Sequence, residues 1–221
     1  HRIVNMNRCP VLDPRIDGLI EPIKADLEAT GWPVDVNLNA GGGLRHLALR
    51  VGHHSGEVLI TLVSSHERLP GLRELAARWQ ERWPQVVGVG LNLQPRASNV
   101  VLGPETHTIS GRAWLQERFA GLELHIGADT FFQVNTPQAE RLVPLLNAFF
   151  QPGPEVPLLD AYCGIGTFSL PLAAAGSPVL GLEVHERSVQ QASASAERNG
   201  LSTARFEQAD VATVLADRLQ G

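Results

Sequence analysis

The stretch from Val156 to Glu183 leaves this chain few folds to choose from. Val156-Pro157-Leu158-Leu159 is a short apolar run with the pattern of a buried parallel strand. Asp160 to Ser169 follows, with glycines at 164 and 166, and Leu170 to Gly176 reads as a helix closed by its C-terminal glycine. A strand, a glycine turn and a helix open a nucleotide-binding βαβ unit. Glycines let the backbone pass close to a ligand, and the helix start offers unpaired N–H groups.

The residue types narrow the ligand. A dinucleotide fingerprint would place a third glycine where Ser169 stands, and this chain instead has an acid, Asp160, at the strand end. A carboxylate there repels a pyrophosphate but suits the cationic amino group of S-adenosylmethionine. Pro178 to Glu183 reads as a second strand ending in an acid, where a nucleotide-binding unit accepts hydrogen bonds from a ribose diol. Ser188 to Arg198 reads as a helix stopped by Asn199-Gly200, and Ala204 to Glu207 as a third strand followed by Asp210. Acids at 160, 183 and 210 thus close three successive strands and can line one crevice.

The chain has 221 residues, 43% of them hydrophobic and 19% charged, enough to bury the core of one large domain or two small ones. No run of 18 apolar residues is present, and no signal-like segment opens the sequence, so a cytoplasmic protein is expected. Because position 1 is a histidine, the chain reads as a piece of something longer. Cys9 and Cys163 are far apart and announce no disulfide. A net charge of −5 argues against a surface built mainly to grip phosphate backbone, so any nucleic-acid role needs local clusters of positive charge or other segments.

Upstream, Asp13-Pro14 is a cap followed by proline at the first helical position. Ile16, Leu19, Ile20, Ile23 and Leu27 then recur at helical spacing up to Gly31, with Pro22 expected to bend the helix. Arg45–Val51 and Glu57–Ser64 read as paired strands around a glycine-bounded turn. A second helix carries Leu72, Leu75, Ala76, Trp79 and Trp83 and ends at Pro84, and Val86–Leu93, Thr106–Ala113 and Leu122–Ile126 read as further strands. This is an α+β domain over residues 1–127, followed over 128–221 by the first half of an α/β, Rossmann-like domain. At the junction, Phe131-Phe132 reads as core, while Gln133 and Asn135 are polar residues where clefts often form. Thr136 is expected to cap a helix whose stripe of Ala139, Leu142, Val143, Leu146, Phe149 and Phe150 faces the core.

Phe-Phe-Gln-Val-Asn at 131–135, Asp-Ala-Tyr-Cys-Gly-Ile-Gly-Thr at 160–167, Gly-Leu-Glu at 181–183 and Arg-Asn-Gly-Leu at 198–201 together resemble the RNA uracil-C5 methyltransferases. Cys9-Pro10, Leu44-Arg45-His46 and Asn99 to Gly103 resemble that family's central domain, so the likeness runs along nearly the whole chain. The resemblance implies S-adenosylmethionine as cofactor. Gln133 and Tyr162 would lie beside it, Thr167 at the helix start, Glu183 on the ribose and Asp210 near the adenine, with Asp160, Gly164 and Gly166 in the same loop. It implies RNA as substrate, 23S ribosomal RNA ahead of tRNA. In that family a cysteine thiolate adds to carbon 6 of an unstacked uracil, and a general base later removes the proton from carbon 5.

Neither group has a match here, since Cys163 corresponds to the cofactor loop, so no catalytic residue is assigned and this chain alone is expected to be inactive. Cys9 is one candidate ligand for a 4Fe-4S cluster of a longer parent protein; no metal site is expected in the chain itself, and His53-His54 read as solvated loop residues. A sheet ending at the Val156–Tyr162 strand would leave an open edge, a route to self-association. Two other readings stay open: a methyltransferase of small molecules or proteins, and a cofactor-binding module without catalysis.

Overall fold

The computed structural model describes residues 9, 11–34, 42–96 and 98–220. The chain divides into two compact units, His1–Leu115 with Gly127–Asp129, and Gln116–Ile126 with Thr130–Gly221. No helix among the described residues is long and apolar enough to cross a membrane.

The first unit is α+β. Helix α1 spans Pro14–Thr30, capped by Asp13, whose carboxylate accepts from the Arg15 N–H, and ended by Gly31 at φ 66°. Pro22 is accommodated within this single helix. Strands β1 (Leu44–Val51) and β2 (Val58–Ser64) pair antiparallel, helix α2 covers Leu72–Arg82, and β3 (Val86–Leu93) returns parallel to β2. Strand β4 runs Glu105–Gly111, antiparallel to β3, and gives the order β1-β2-β3-β4. It ends short of the expected Ala113 because Gly111 turns at φ 71°. Every residue of β2 is buried, as befits an inner strand that reads Val-Leu-Ile-Thr-Leu-Val-Ser. Ile16, Leu19 and Ile23 from α1 and Leu72, Leu75 and Trp79 from α2 share its core. The Trp79 indole donates to Asp26 Oδ2 at 2.8 Å and ties the two helices together.

A hairpin follows, whose second strand matches the expected Leu122–Ile126 and whose first strand the sequence does not signal. Strand β5 (Trp114–Phe119) joins β6 (Leu122–Gly127) through Ala120 and Gly121, both at positive φ (49° and 83°). Two left-handed residues make the tight turn that suits strand twist, but alanine is a weak signal for it. The alternation in β5 is also disguised, because one of its buried positions is Glu117. Phe119 is fully buried and meets Phe132 and Phe168 edge to face at 5.8 and 6.1 Å, which is why Gln116–Ile126 belongs to the second unit despite preceding residue 128.

Helix α3 spans Thr136–Phe150, and its cap is Asn135, whose side chain accepts from the Gln138 N–H; the expected cap, Thr136, is buried as the first helical residue. Ala139 and Val143 are buried, yet Leu142, Phe149 and Phe150 of the expected core stripe are exposed, as are Leu145 and Phe131. Among the described residues, one edge of that helix is buried, and of the phenylalanine pair Phe132 is buried and Phe131 exposed. Strands β7 (Leu158–Ala161), β8 (Val179–Glu183) and β9 (Ala204–Gln208) form a parallel sheet in that order, linked by α4 (Ser169–Ala174) and α5 (Glu186–Arg198), with α6 (Val211–Gln220) last. Asn199, just after α5, exchanges two hydrogen bonds with the Glu123 backbone (2.9 and 2.8 Å) and so anchors β6.

The Asp13 cap offers a test. The Arg15 guanidinium on its carboxylate holds its pKa down, to about 2. A carboxylate depressed in the folded state stabilises above its unfolded pKa, near 4, and loses that contribution as pH falls toward the folded value. Asp13→Ala is expected to cost about 1 kcal/mol at pH 7. In thermal melts the gap from the parent chain should close between pH 4 and pH 2; a gap that persists at pH 2 would remove the carboxylate from this role.

Candidate functional site

The C-terminal ends of β7, β8 and β9 lie side by side, with Asp160 opposite Gly181 and Glu183 opposite Gln208. Asp160, Glu183 and Asp210 therefore share one edge of a parallel sheet, the edge at which open α/β sheets hold ligands. Their immediate tasks differ.

Asp160 is half-buried, and the fully buried Ser169 hydroxyl donates to its Oδ2 at 2.5 Å. Burial raises the Asp160 pKa, and the Ser169 hydrogen bonds work in the opposite direction. The Ser169 backbone N–H is a second donor to this carboxylate, and no other described residue donates to it.

Glu183 is also half-buried. Its Oε2 accepts from the Gly164 N–H at 3.1 Å and its Oε1 from the His185 N–H at 2.9 Å. A second lone pair on each oxygen remains available. This acid therefore holds the glycine turn against the end of β8. The turn needs such a restraint. Gly164 and Gly166 sit at φ 57° and 79°, and Tyr162, 70% exposed, at φ 65°. A side chain on Gly164 would meet nothing within 4 Å, so that backbone is open to a ligand. One on Gly166 would come within 3.0 Å of the Phe206 ring, which makes this second glycine a packing requirement.

Asp210 is exposed and caps α6: the Thr213 N–H and hydroxyl both donate to its Oδ1, at 2.9 and 2.8 Å, which lowers its pKa. Thr167 is buried two residues before α4. Gln133 is half-buried ahead of α3, and no hydrogen bond among the described residues joins it to the glycine turn. The described structure thus brings Asp160, Gly164 and Glu183 together and shows no such link for Gln133. Ser169 was missed as a partner of Asp160, although a polar residue standing where a dinucleotide motif has glycine was the available signal.

Cys163 is buried, and its thiol is pushed up to about 12 by burial first and by the Asp160 and Glu183 carboxylates next. A Cβ on Gly181 would lie 2.7 Å from its Sγ and 2.5 Å from Phe206, so the cysteine is part of a tight packing cluster. Cys9 is a free thiol whose N–H donates to Asp17 Oδ1 at 2.9 Å, and its neighbour Pro10 lies outside the described residues. Among the described residues no group of three or more His, Cys, Asp or Glu could hold a metal. His53 and His54 meet edge to face at 4.8 Å.

Removing the restraint on the turn is a direct test. In Glu183→Ala, the Gly164 and His185 amides should exchange with solvent faster, consistent with losing a charge-assisted bond of about 1.5–3 kcal/mol. The Leu182 amide, held inside the sheet, should keep its protection. Unchanged exchange at Gly164 would show that the turn holds itself.

Comparison with known proteins places this geometry. A methyltransferase-domain family model matches residues 153–220. An uncharacterised RNA methyltransferase of Parasynechococcus marenigrum is 52% identical over 99% of the chain, and one of Synechocystis is 44% identical over 97%. The matches cover 47% and 46% of those proteins, so the chain spans about half the length of the curated relatives it matches. Among solved structures, the tRNA (uracil-54, C5)-methyltransferase of Pyrococcus abyssi, in complex with S-adenosyl-L-homocysteine, matches with a TM-score of 0.77 and 26% identity, over 95% of this chain and 50% of that one. An α+β unit followed by the opening strands of a class I methyltransferase sheet is thus similar, along almost the whole length of this chain, to proteins named RNA methyltransferases and to a solved tRNA uracil-C5 methyltransferase.

Proposed function

We propose that this chain is the cofactor-binding portion, with its adjoining α+β unit, of an enzyme that transfers a methyl group from S-adenosylmethionine to carbon 5 of a uridine in RNA. The observation that carries this reading is the match at TM-score 0.77 and 26% identity to an enzyme whose own target is uracil 54 of tRNA.

The residues present fit the cofactor. The Asp160 carboxylate has lone pairs left for its ammonium group, and Glu183 has lone pairs left for a ribose diol. The open backbone at Gly164 lets a ligand approach, and the exposed Tyr162 ring stands beside it in sequence. Gln133, Gly166, Thr167 and Asp210 complete the proposed set. When bound, the cofactor supplies an electrophilic methyl group; this chain's part is to bind and orient it. Carbon 5 of uracil needs activation by a thiolate at carbon 6, and a buried thiol with a pKa near 12 is a poor source of one. We assign the nucleophile and base to the portion of the relatives' length beyond this chain. To a 4Fe-4S cluster of the longer protein, this chain offers Cys9.

Ribosomal RNA is the substrate the sequence favoured, and the tRNA activity of the solved neighbour puts tRNA beside it. The test is incubation of the intact gene product with methyl-labelled S-adenosylmethionine and unmodified 23S ribosomal RNA or tRNA transcripts. Label is expected at uridine carbon 5 of one of them, unaffected by Cys163→Ser and absent with this 221-residue chain alone. Label on a small molecule or a protein would overturn the reading, and loss of a covalent RNA adduct in Cys163→Ser would overturn the assignment of the thiol.

The chain by itself is also expected to self-associate. Strand β7 is the edge of its sheet and Leu159 on it is 43% exposed. Sedimentation should show mass rising with concentration, and Leu159→Lys should suppress the rise, because a charge on an edge strand opposes pairing. A monomer at every concentration would refute it.

A further inference from the structure

We propose that Ser169 is a positioning residue for cofactor binding: its hydroxyl holds the Asp160 carboxylate in one orientation, leaving the side of the carboxylate away from Ser169 to receive the cofactor's ammonium group. The inference rests on the S-adenosylmethionine reading above and adds to it a residue and a pH dependence.

The geometry carries the argument. Ser169 is wholly buried as the first residue of α4, so its hydroxyl must find a partner, and the one it has is Asp160 Oδ2 at 2.5 Å. Asp160 pairs in β7 with Gly181 of β8, a neighbour that brings no side chain to satisfy a carboxylate. A carboxylate at the end of a short strand can rotate about χ2; one short bond to a fixed hydroxyl removes that freedom. Since Ser169 supplies the donors this carboxylate has, from its hydroxyl and its backbone N–H, and no other described residue donates to it, the lone pairs facing away from Ser169 remain for a ligand.

The same bond also bears on the charge. Burial pushes the Asp160 pKa up, and the Ser169 hydrogen bonds oppose the rise. Beyond the hydroxyl and the backbone N–H of Ser169, the surroundings offer no help. From β8 comes the Glu183 carboxylate, from the turn the Cys163 thiol and the exposed Tyr162, while α4 reads Ser-Leu-Pro-Leu-Ala-Ala and carries no charge. Without the Ser169 donor, Asp160 takes up its proton at a higher pH, and a neutral carboxyl is a weaker partner for a cation.

The experiment measures S-adenosylmethionine affinity of the intact gene product by calorimetry from pH 5 to pH 8.5, for the parent protein and the Ser169→Ala, Ser169→Thr and Asp160→Asn variants. Ser169→Ala is expected to weaken binding about tenfold, the loss of one hydrogen bond to a charged group. Its affinity should begin to fall, as pH is lowered, at a higher pH than in the parent. Ser169→Thr retains the hydroxyl and should restore the profile, whereas Asp160→Asn should be weak and flat with pH. A purely structural Ser169 would lower affinity equally at every pH, and that result would overturn the proposal. So would a Ser169→Ala profile identical to the parent's. Should Ser169→Ala fail to fold, a Ser169→Thr protein that folds but lacks the parent's pH profile gives the same negative answer. A parent protein that binds no S-adenosylmethionine at any pH would refute the cofactor reading itself.

Discussion

The glycine turn between β7 and α4 keeps its shape because β8 holds it. Two glycines and a tyrosine in left-handed conformations have no reason to stay together on their own, and the tyrosine costs about 1–3 kcal/mol in backbone strain. Two hydrogen bonds to the end of the next strand set them: Cys163 N–H to the Leu182 carbonyl at 3.0 Å, and Gly164 N–H to the Glu183 carboxylate at 3.1 Å. The second is charge-assisted and links a residue 19 positions away, so the acid that could serve a ligand also builds the loop that would cradle it.

Beneath the turn the packing is equally tight. Cys163, Gly181 and Phe206 come from three successive parts of the sheet and leave no room for another methyl group. The thiol is there for its size and sits in the field of two carboxylates, which suppress its ionisation. A cysteine in a glycine motif invites a catalytic assignment; its burial and its charged neighbours disfavour the thiolate that such a role requires.

The α+β unit orders its irregular parts by a different device, buried amides. Asn92, fully buried on β3, donates to the Gly103 and Glu105 carbonyls and accepts from the Gly103 N–H, while Gln94 donates to the Val100 and Leu102 carbonyls. Arg45 adds bonds to the Gln94 and Arg96 carbonyls from β1. A segment without regular structure thereby satisfies its backbone against the sheet, and Gly103 is required because a Cβ there would strike the Leu93 carbonyl oxygen at 1.7 Å.

Local chemistry made much of this legible in advance. Asp13 and Gly31 bound α1 through a side-chain acceptor and a left-handed glycine; Val86 to Leu93 is a strand because its residues are apolar and extended; the strand-end acids mark one edge of a parallel sheet. These depend on residues a few positions apart, and the sequence by itself determined them. Four things depend on partners far along the chain, and only the tertiary structure decided them. The β5–β6 hairpin exists because Phe119 finds Phe132 and Phe168, which outweighs the reluctance of Ala120 to turn. The apolar stripe of α3 stays largely exposed because periodicity shows that a face is apolar without showing what covers it. Glu183 and Ser169 acquire their roles from the Gly164 amide and the Asp160 carboxylate, contacts that exist only once the strands lie side by side.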